Sequence, residues 1–206
     1  MSTRIAKQVS AMRKAPRQAR SRMTVEAIME AGARILSADG WAGFNTNRIA
    51  EAAGVSVGSL YQYFPDKQSL VDAIRERHLD ESLAAVRASA DTAQTGKAFV
   101  QRLVNAVIAA HSVHPGLHRV LLDEAPSADG FRDPNSRFEQ LYLGYFTEAV
   151  ARYGSRGSTE LNAIAGRVMS DVIDGVIHNA ARRSALDDPA MRFELTRLLE
   201  GFLAAK

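Results

Sequence analysis

The residues whose types and spacing most clearly suggest a chemistry lie between Thr46 and Lys67, in the segment TNRIAEAAGVSVGSLYQYFPDK. Hydroxyl, aromatic and basic side chains alternate here with small apolar ones. Such polar side chains bind the phosphate oxygens and base edges of DNA. We therefore expect DNA contacts from a set of nine residues: Thr46, Arg48, Ser56, Val57, Gly58, Ser59, Tyr61, Tyr63 and Lys67.

Two short helices joined by a glycine turn would position these residues. Thr46 is predicted to cap the first helix, whose Ile49, Ala50 and Ala53 share one face. Gly54 follows where a left-handed residue is needed, and Ser56 is predicted to cap the second helix, in which Leu60 points inward. This arrangement predicts a helix-turn-helix, whose second helix enters the major groove of DNA.

Individual residues of the second helix suit particular contacts. Gly58 lacks a Cβ, so the backbone there can approach a phosphate, and Val57 suits a thymine methyl group. Of the two tyrosines, Tyr61 is the better candidate for reading a base, while Tyr63 could be mostly core. Lys67 opposes a helix dipole, which a bound phosphate would reverse into a favourable interaction. Further phosphate contacts are expected from Arg48 and from Arg20 or Arg22.

The run IAEAAGVSVGSLYQYFPDKQSL resembles the signature of the TetR family of transcriptional regulators, from near Arg20 to about Leu70. The resemblance implies a homodimer with a C-terminal effector-binding and dimerisation domain. It also implies a repressor that binds palindromic double-stranded operator DNA. A small apolar or aromatic effector would release it by favouring a spacing of the two DNA-binding heads that misses successive major grooves. An activator or an effector-free regulator remains the alternative, and a helical enzyme or a pure oligomerisation module is a more distant one.

Charge and composition agree with a DNA-binding N-terminal part. The net charge is +3, but residues 1–67 hold ten Lys or Arg against five acidic residues, and the remainder is slightly acidic. There is no cysteine, which excludes disulfides and zinc-thiolate sites. No apolar run approaches the roughly 20 residues that span a bilayer, and the N-terminus lacks the apolar region of a signal peptide. The sequence predicts a cytoplasmic protein without a membrane partner.

Helical periodicity continues throughout, and no segment alternates as a strand does, so we predict an all-α fold with a three-helix helix-turn-helix head. We predict four regions: a mobile basic arm (1–18), the helix-turn-helix domain (19–66), a connecting helix and junction (67–95), and the effector-binding and dimerisation domain (96–206). Helices are expected over about 20–38, 67–88, 97–113, 115–124, 133–153, 159–183 and 189–204, with a loop over 126–133.

The C-terminal part holds no convincing catalytic set, and we expect neither an enzyme nor a cofactor. His111, His114 and His118 have helical spacing, but Pro115 separates them, so no metal site is predicted. Asp171, Asp174 and His178 are interpreted as helix-surface or pocket polarity, because no nucleophile accompanies them.

Two further sets are predicted from the helical pattern. Apolar area with a few polar groups suits an effector pocket lined by Tyr142, Tyr145, Phe146, Met169 and Ile173. The last two helices are apolar on more than one face, which predicts a two-fold interface with a second copy. Its residues are predicted to be Leu161, Val168, Val172, Val176, Leu195, Leu199 and Phe202.

Overall fold

The computed structural model describes residues 19–91, 93–126 and 137–205, so the predicted basic arm (1–18) and most of the predicted loop (126–133) lie outside the described residues. Every regular element in the described part is helical, which confirms the all-α prediction. The described residues form two compact units. The head unit contains residues 19–77 and 120–126, and the body unit contains residues 78–91, 93–119 and 137–205.

The head unit is built from α1 (Ala19–Gly43), α2 (Thr46–Ala52), α3 (Val57–Tyr63) and the beginning of α4 (Lys67–Asp91). Its core consists of fully buried side chains from all four helices: Ile28, Leu36, Ile49, Leu60, Leu70 and Ile74, with Phe44 and Phe64 from the connections. Burial of one face per helix therefore fixes the angle at which α3 is presented.

The segment Val120–Glu124 also belongs to the head unit and forms a π-helical turn, in which the Ala125 amide donates to the Val120 carbonyl at 2.8 Å. The buried guanidinium of Arg75 holds this segment. It donates to the carbonyls of Leu121 (3.2 Å), Ala125 (3.5 Å) and Pro126 (3.0 Å), and it is paired with Asp72. One charged group thus satisfies three backbone acceptors that lie about fifty residues away in the chain.

The body unit contains the rest of α4 together with α5 (Gly96–Val113), α6 (Leu117–Arg119), α7 (Arg137–Tyr153), α8 (Thr159–Arg182) and α9 (Pro189–Ala204). Thr95, Ser158 and Asp188 cap the helices that follow them, each by accepting a backbone N–H of the first turn. Helices α7 and α8 cross closely at Gly166, where a Cβ atom would lie 2.7 Å from the Thr147 nitrogen. Only glycine fits there without displacing the backbone.

Several predicted helix ends differ from the observed ones. Helix α1 does not end at residue 38: it kinks at Gly40 (φ 65°) and continues for another turn to Gly43. The helix expected to open at Pro115 begins at Leu117, because Gly116 takes a positive φ of 88°. Helix α4 extends beyond the predicted end to Asp91, and α7 is described only from Arg137. The last two helices begin at the predicted residues and end within one residue of the prediction.

Candidate nucleic-acid interface

Helices α2 and α3 form the predicted helix-turn-helix, and each local signal of the turn is resolved. Gly54 has φ 68°, and its amide donates to the Glu51 carbonyl at 3.1 Å. The Ser56 Oγ accepts from the Ser59 amide at 3.0 Å, so Ser56 caps α3 as predicted. Leu60 is fully buried beneath α3. These contacts leave the opposite face of α3 open to solvent.

The N-terminus of α2 differs from the prediction. Asn45, not Thr46, is the cap, since its Oδ1 accepts from the amides of Asn47 (2.8 Å) and Arg48 (3.5 Å). Thr46 is the first helical residue, and its hydroxyl shares a hydrogen bond of 3.2 Å with that of Tyr61. The sequence signal was present, because asparagine is a better helix cap than threonine, and the prediction overlooked it.

The remaining predicted residues of α3 occupy its outer face to different degrees. Ser56 and Gly58 are exposed, while Val57, Ser59 and Tyr63 are half-buried. Tyr61 is 41% exposed, and its ring lies on the surface although its hydroxyl is bound by Thr46. The structure therefore brings a glycine, a hydroxyl group and an aromatic ring together on one helical face.

Two of the predicted phosphate contacts, Arg48 and Lys67, are engaged by the protein itself. The Arg48 guanidinium pairs with Asp39 at 2.6 Å and donates to the Gly43 carbonyl at 3.3 Å, yet about half of its side chain is exposed. The Lys67 Nζ lies 3.6 Å from the centre of the Trp41 ring and donates to the Trp41 carbonyl at 3.4 Å. Partial burial lowers the pKa of Lys67. The sequence analysis did not predict the contact between the Trp41 ring and the Lys67 ammonium. A tryptophan just before a DNA-binding motif does not by itself indicate such a cation–π contact.

Asp66 caps helix α4, which begins at Lys67. The Asp66 carboxylate accepts from the Ser69 amide at 2.7 Å, and the Ser69 hydroxyl donates to the Asp66 carbonyl at 2.8 Å. A carboxylate at a helix N-terminus interacts favourably with the helix dipole and offsets the unfavourable position of the Lys67 ammonium.

The predicted effector-pocket residues lie in the body unit. Tyr142, Phe146, Met169 and Ile173 are buried in its core, and Tyr145 packs against that core. The Tyr142 hydroxyl donates to Asp174 at 3.3 Å, and burial together with that carboxylate raises the pKa of Tyr142 well above its ordinary value. These residues share one packed region, in which Tyr142 and Asp174 form a polar pair.

The predicted interface residues divide into two groups. Leu161 and Val168 are exposed, and Val172, Val176 and Phe202 are half-buried. Leu195 and Leu199, in contrast, are buried among the core side chains of a single chain, so their place in the interface stays a prediction. Ile164, Phe193 and Leu198 are exposed instead. An open groove of about 580 Å³ lies on this side, lined by Val176, Met191, Glu194, Leu195, Arg197, Leu198, Gly201 and Phe202.

Among the described residues, no helix has the length and apolarity that crossing a bilayer requires.

Two family profiles match the sequence. Residues 28–74 match the profile described as bacterial regulatory proteins, tetR family, and residues 97–203 match the profile of the tetracyclin repressor-like C-terminal domain. The first match contains the whole helix-turn-helix, and the second contains most of α5, all of α6 to α8 and most of α9.

Individual proteins give the same result. The nucleoid occlusion factor SlmA of Actinobacillus pleuropneumoniae serotype 5b is 35% identical over 89 residues, which are 43% of this chain and 44% of the relative. This chain thus spans less than half of that relative. The transcriptional repressor KstR of Mycolicibacterium smegmatis is 28% identical over 84% of this chain and 85% of its own length. A solved structure of FadR from Bacillus subtilis, in complex with stearoyl-CoA, has a TM-score of 0.68 at 14% identity, over 87% of this chain and 97% of the other, and so shares the fold.

Proposed function

Since this chain belongs to the tetR family of bacterial regulatory proteins, we propose that it is a DNA-binding transcriptional regulator and, more closely, an effector-released repressor. It binds a palindromic operator as a homodimer, and a small apolar or aromatic ligand in the body unit lowers its affinity for DNA. The function needs no catalytic step. The observation that carries the proposal is the capped α2–α3 turn, which presents the outer face of α3 for insertion into a major groove.

Two kinds of DNA contact follow from the geometry of the head unit. The exposed Tyr61 ring and the half-buried Val57 lie on the same face of α3 and suit base edges and thymine methyl groups. Arg48 and Lys67 flank this face with positive charge and suit phosphates. Each must exchange an internal contact, with Asp39 or with the Trp41 ring, for a phosphate oxygen. Base contacts specify the sequence and phosphate contacts fix the register.

The homodimer is supported by exposed apolar side chains on α8 and α9. Leu161, Ile164 and Val168 follow one line on α8, and all three are more than 40% exposed. Leu198 on α9 is 54% exposed at the edge of the apolar groove. Contiguous exposed apolar area of this kind is typical of an interface, and a two-fold pairing of these helices would bury it in a four-helix contact.

The effector is supported by the chemistry of the body unit and by two relatives. KstR is a repressor by name, and the FadR structure holds a fatty acyl-CoA. In this chain, Tyr142 and Asp174 form a polar pair among the apolar side chains of α7 and α8, which would orient a mostly apolar ligand.

Selection of operator sequences from random duplexes tests the proposal. We expect a pseudo-palindrome whose half-sites are separated by about one helical turn or a multiple of it. A Tyr61→Ala variant provides the matched control, because it should lose the selected sequence preference while keeping its helicity. Recovery of an asymmetric site, or of no preferred sequence, would contradict the dimeric reader.

The effector is tested by thermal shift with fatty acids, acyl-CoA esters and aromatic acids, followed by operator titration with each compound that binds. A compound at about 100 times its dissociation constant stabilises the folded state by roughly 2.7 kcal/mol, which a thermal scan resolves. The release mechanism requires the same compound to lower operator affinity, and linkage then requires the DNA complex to bind the compound more weakly by the same factor. Stabilisation without any change in operator affinity would contradict the release mechanism.

A further inference from the structure

Four histidines from four helices converge in the body unit: His78 of α4, His111 of α5, His118 of α6 and His178 of α8. The His118 and His178 rings stack with centroids 4.2 Å apart, and the His111 ring lies 5.4 Å from each of them. His78 Nε2 and His118 Nδ1 are joined by a hydrogen bond of 2.8 Å. We call His78, His111 and His118 the histidine trio.

We propose that the histidine trio forms a binding site for a divalent transition-metal ion. One ring nitrogen from each member lies within 4.8 Å of those of the other two. A tetrahedral ion with metal–nitrogen bonds of about 2.0–2.1 Å holds its ligand nitrogens about 3.3 Å apart. The nitrogens therefore need to move by an ångström or so, which side-chain rotation supplies.

His111 gives independent support for the site. Its Nδ1 donates to the Val107 carbonyl at 2.9 Å, which leaves Nε2 as the unprotonated nitrogen of a neutral ring. The His111 residue is only 8% exposed, and its Nε2 is buried and has no hydrogen-bond partner among the described residues. A buried polar atom without a partner is costly unless something binds it. A backbone carbonyl on the other ring nitrogen is also the usual arrangement behind a metal-binding histidine.

The donor set limits which ion fits. Three imidazole nitrogens suit zinc, nickel, cobalt or copper, whereas magnesium and calcium prefer oxygen ligands. Three protein ligands leave the fourth tetrahedral position for water or for an anionic group. The ion would connect α4, α5 and α6. His111 and His118 lie 33 and 40 positions after His78 in the chain. Binding should therefore stabilise the body unit as well as fill the site.

The test uses the full chain without an affinity tag, freed of metal by a chelator and titrated with Co²⁺ and Zn²⁺. We expect one equivalent of Co²⁺ to bind with the visible absorption bands of a tetrahedral nitrogen site. Zn²⁺ at about 100 times its dissociation constant should raise the melting temperature by roughly 5–10 °C. His111→Gln and His118→Gln should each reduce affinity by at least about a hundredfold, which exceeds the usual effect of disturbing a hydrogen bond to a ligand.

His114→Gln is the matched control, because His114 lies between two members of the trio in sequence but outside it. It should bind Co²⁺ as the wild type does. Circular dichroism checks folding, and if His111→Gln is unfolded, the half-buried His118 decides the result. Absence of binding by the wild type, or unchanged affinity in a folded trio variant, would overturn the proposal and leave the cluster as a hydrogen-bonded histidine network.

Discussion

Replacing Leu198 by aspartate should dissociate the dimer without unfolding the protomer, whereas the same change one residue later should unfold it. Leu198 is 54% exposed in a single chain and Leu199 is 1% exposed. The two variants carry the same charge at adjacent positions of α9. The contrast between them separates a surface used by a partner from the core of the chain.

The magnitude follows from burial. Burying a whole leucine side chain contributes about 1.5–3 kcal/mol, so covering the exposed half of Leu198 contributes about 1 kcal/mol per protomer. Losing both contributions raises the dimer dissociation constant by roughly 30-fold. The two unpaired carboxylates that would be buried cost several kcal/mol more, so the total loss is at least about a thousandfold. For Leu199→Asp, the lost core contacts alone cost about 2–5 kcal/mol, and the buried charge brings the total close to the whole stability of a typical domain.

Sedimentation velocity, circular dichroism and operator binding measure the three consequences. We expect Leu198→Asp to sediment as a helical monomer with strongly weakened operator binding. Leu199→Asp should lose helicity. A Leu198→Asp protein that remained dimeric at micromolar concentration would place the interface elsewhere, and a folded Leu199→Asp protein would refute the assignment of that residue to the core.

Three further predictions concern the other sites. Lys67→Ala should weaken operator and non-specific binding alike and reduce the slope of log affinity against log salt by about one, whereas Tyr61→Ala should mainly weaken operator binding. Anisotropy titrations on selected and scrambled duplexes distinguish the two variants, and equal effects would contradict the contact assignment. Gly166→Ala should destabilise the body unit by about 1–3 kcal/mol in urea, because its Cβ would meet the Thr147 backbone, while Gly175→Ala, with open space around it, should not; similar losses would refute the close crossing. In an ultraviolet titration, Tyr142 should stay protonated beyond the other four tyrosines, and stability should fall above about pH 10, where the unfolded chain releases the proton; simultaneous ionisation of all five would contradict the burial.

The helix-turn-helix could be predicted because its signals are local. Gly54 and Ser56 act on residues within one turn of themselves, and the buried positions Ile49 and Leu60 follow from helical spacing alone. The beginnings of the last two helices were predicted for the same reason. The turn Gly154–Gly157 precedes α8, and Asp188 followed by Pro189 begins α9.

The missed features depend on residues that are distant in the chain or adjacent along a helix. His78 meets His118 across 40 positions, and no periodicity on either helix announces that contact. Trp41 meets Lys67 in the same way. Leu198 and Leu199 are both apolar on a helix with two apolar sides, so the pattern predicts that both sides are covered but not which one faces the core.

The hydrogen bonds from Arg75 to the carbonyls of residues 121–126 affect how the DNA-binding part of this chain can be exchanged between regulators. A chimera that takes residues 1–77 as a transferable DNA-reading part omits the segment that its own guanidinium binds. Each buried hydrogen-bonding group left without a partner costs about 1–3 kcal/mol, so the graft succeeds only where the recipient supplies equivalent carbonyls. A working exchange of specificity therefore has to be made in two pieces of sequence, or confined to the outward-facing side chains of α3.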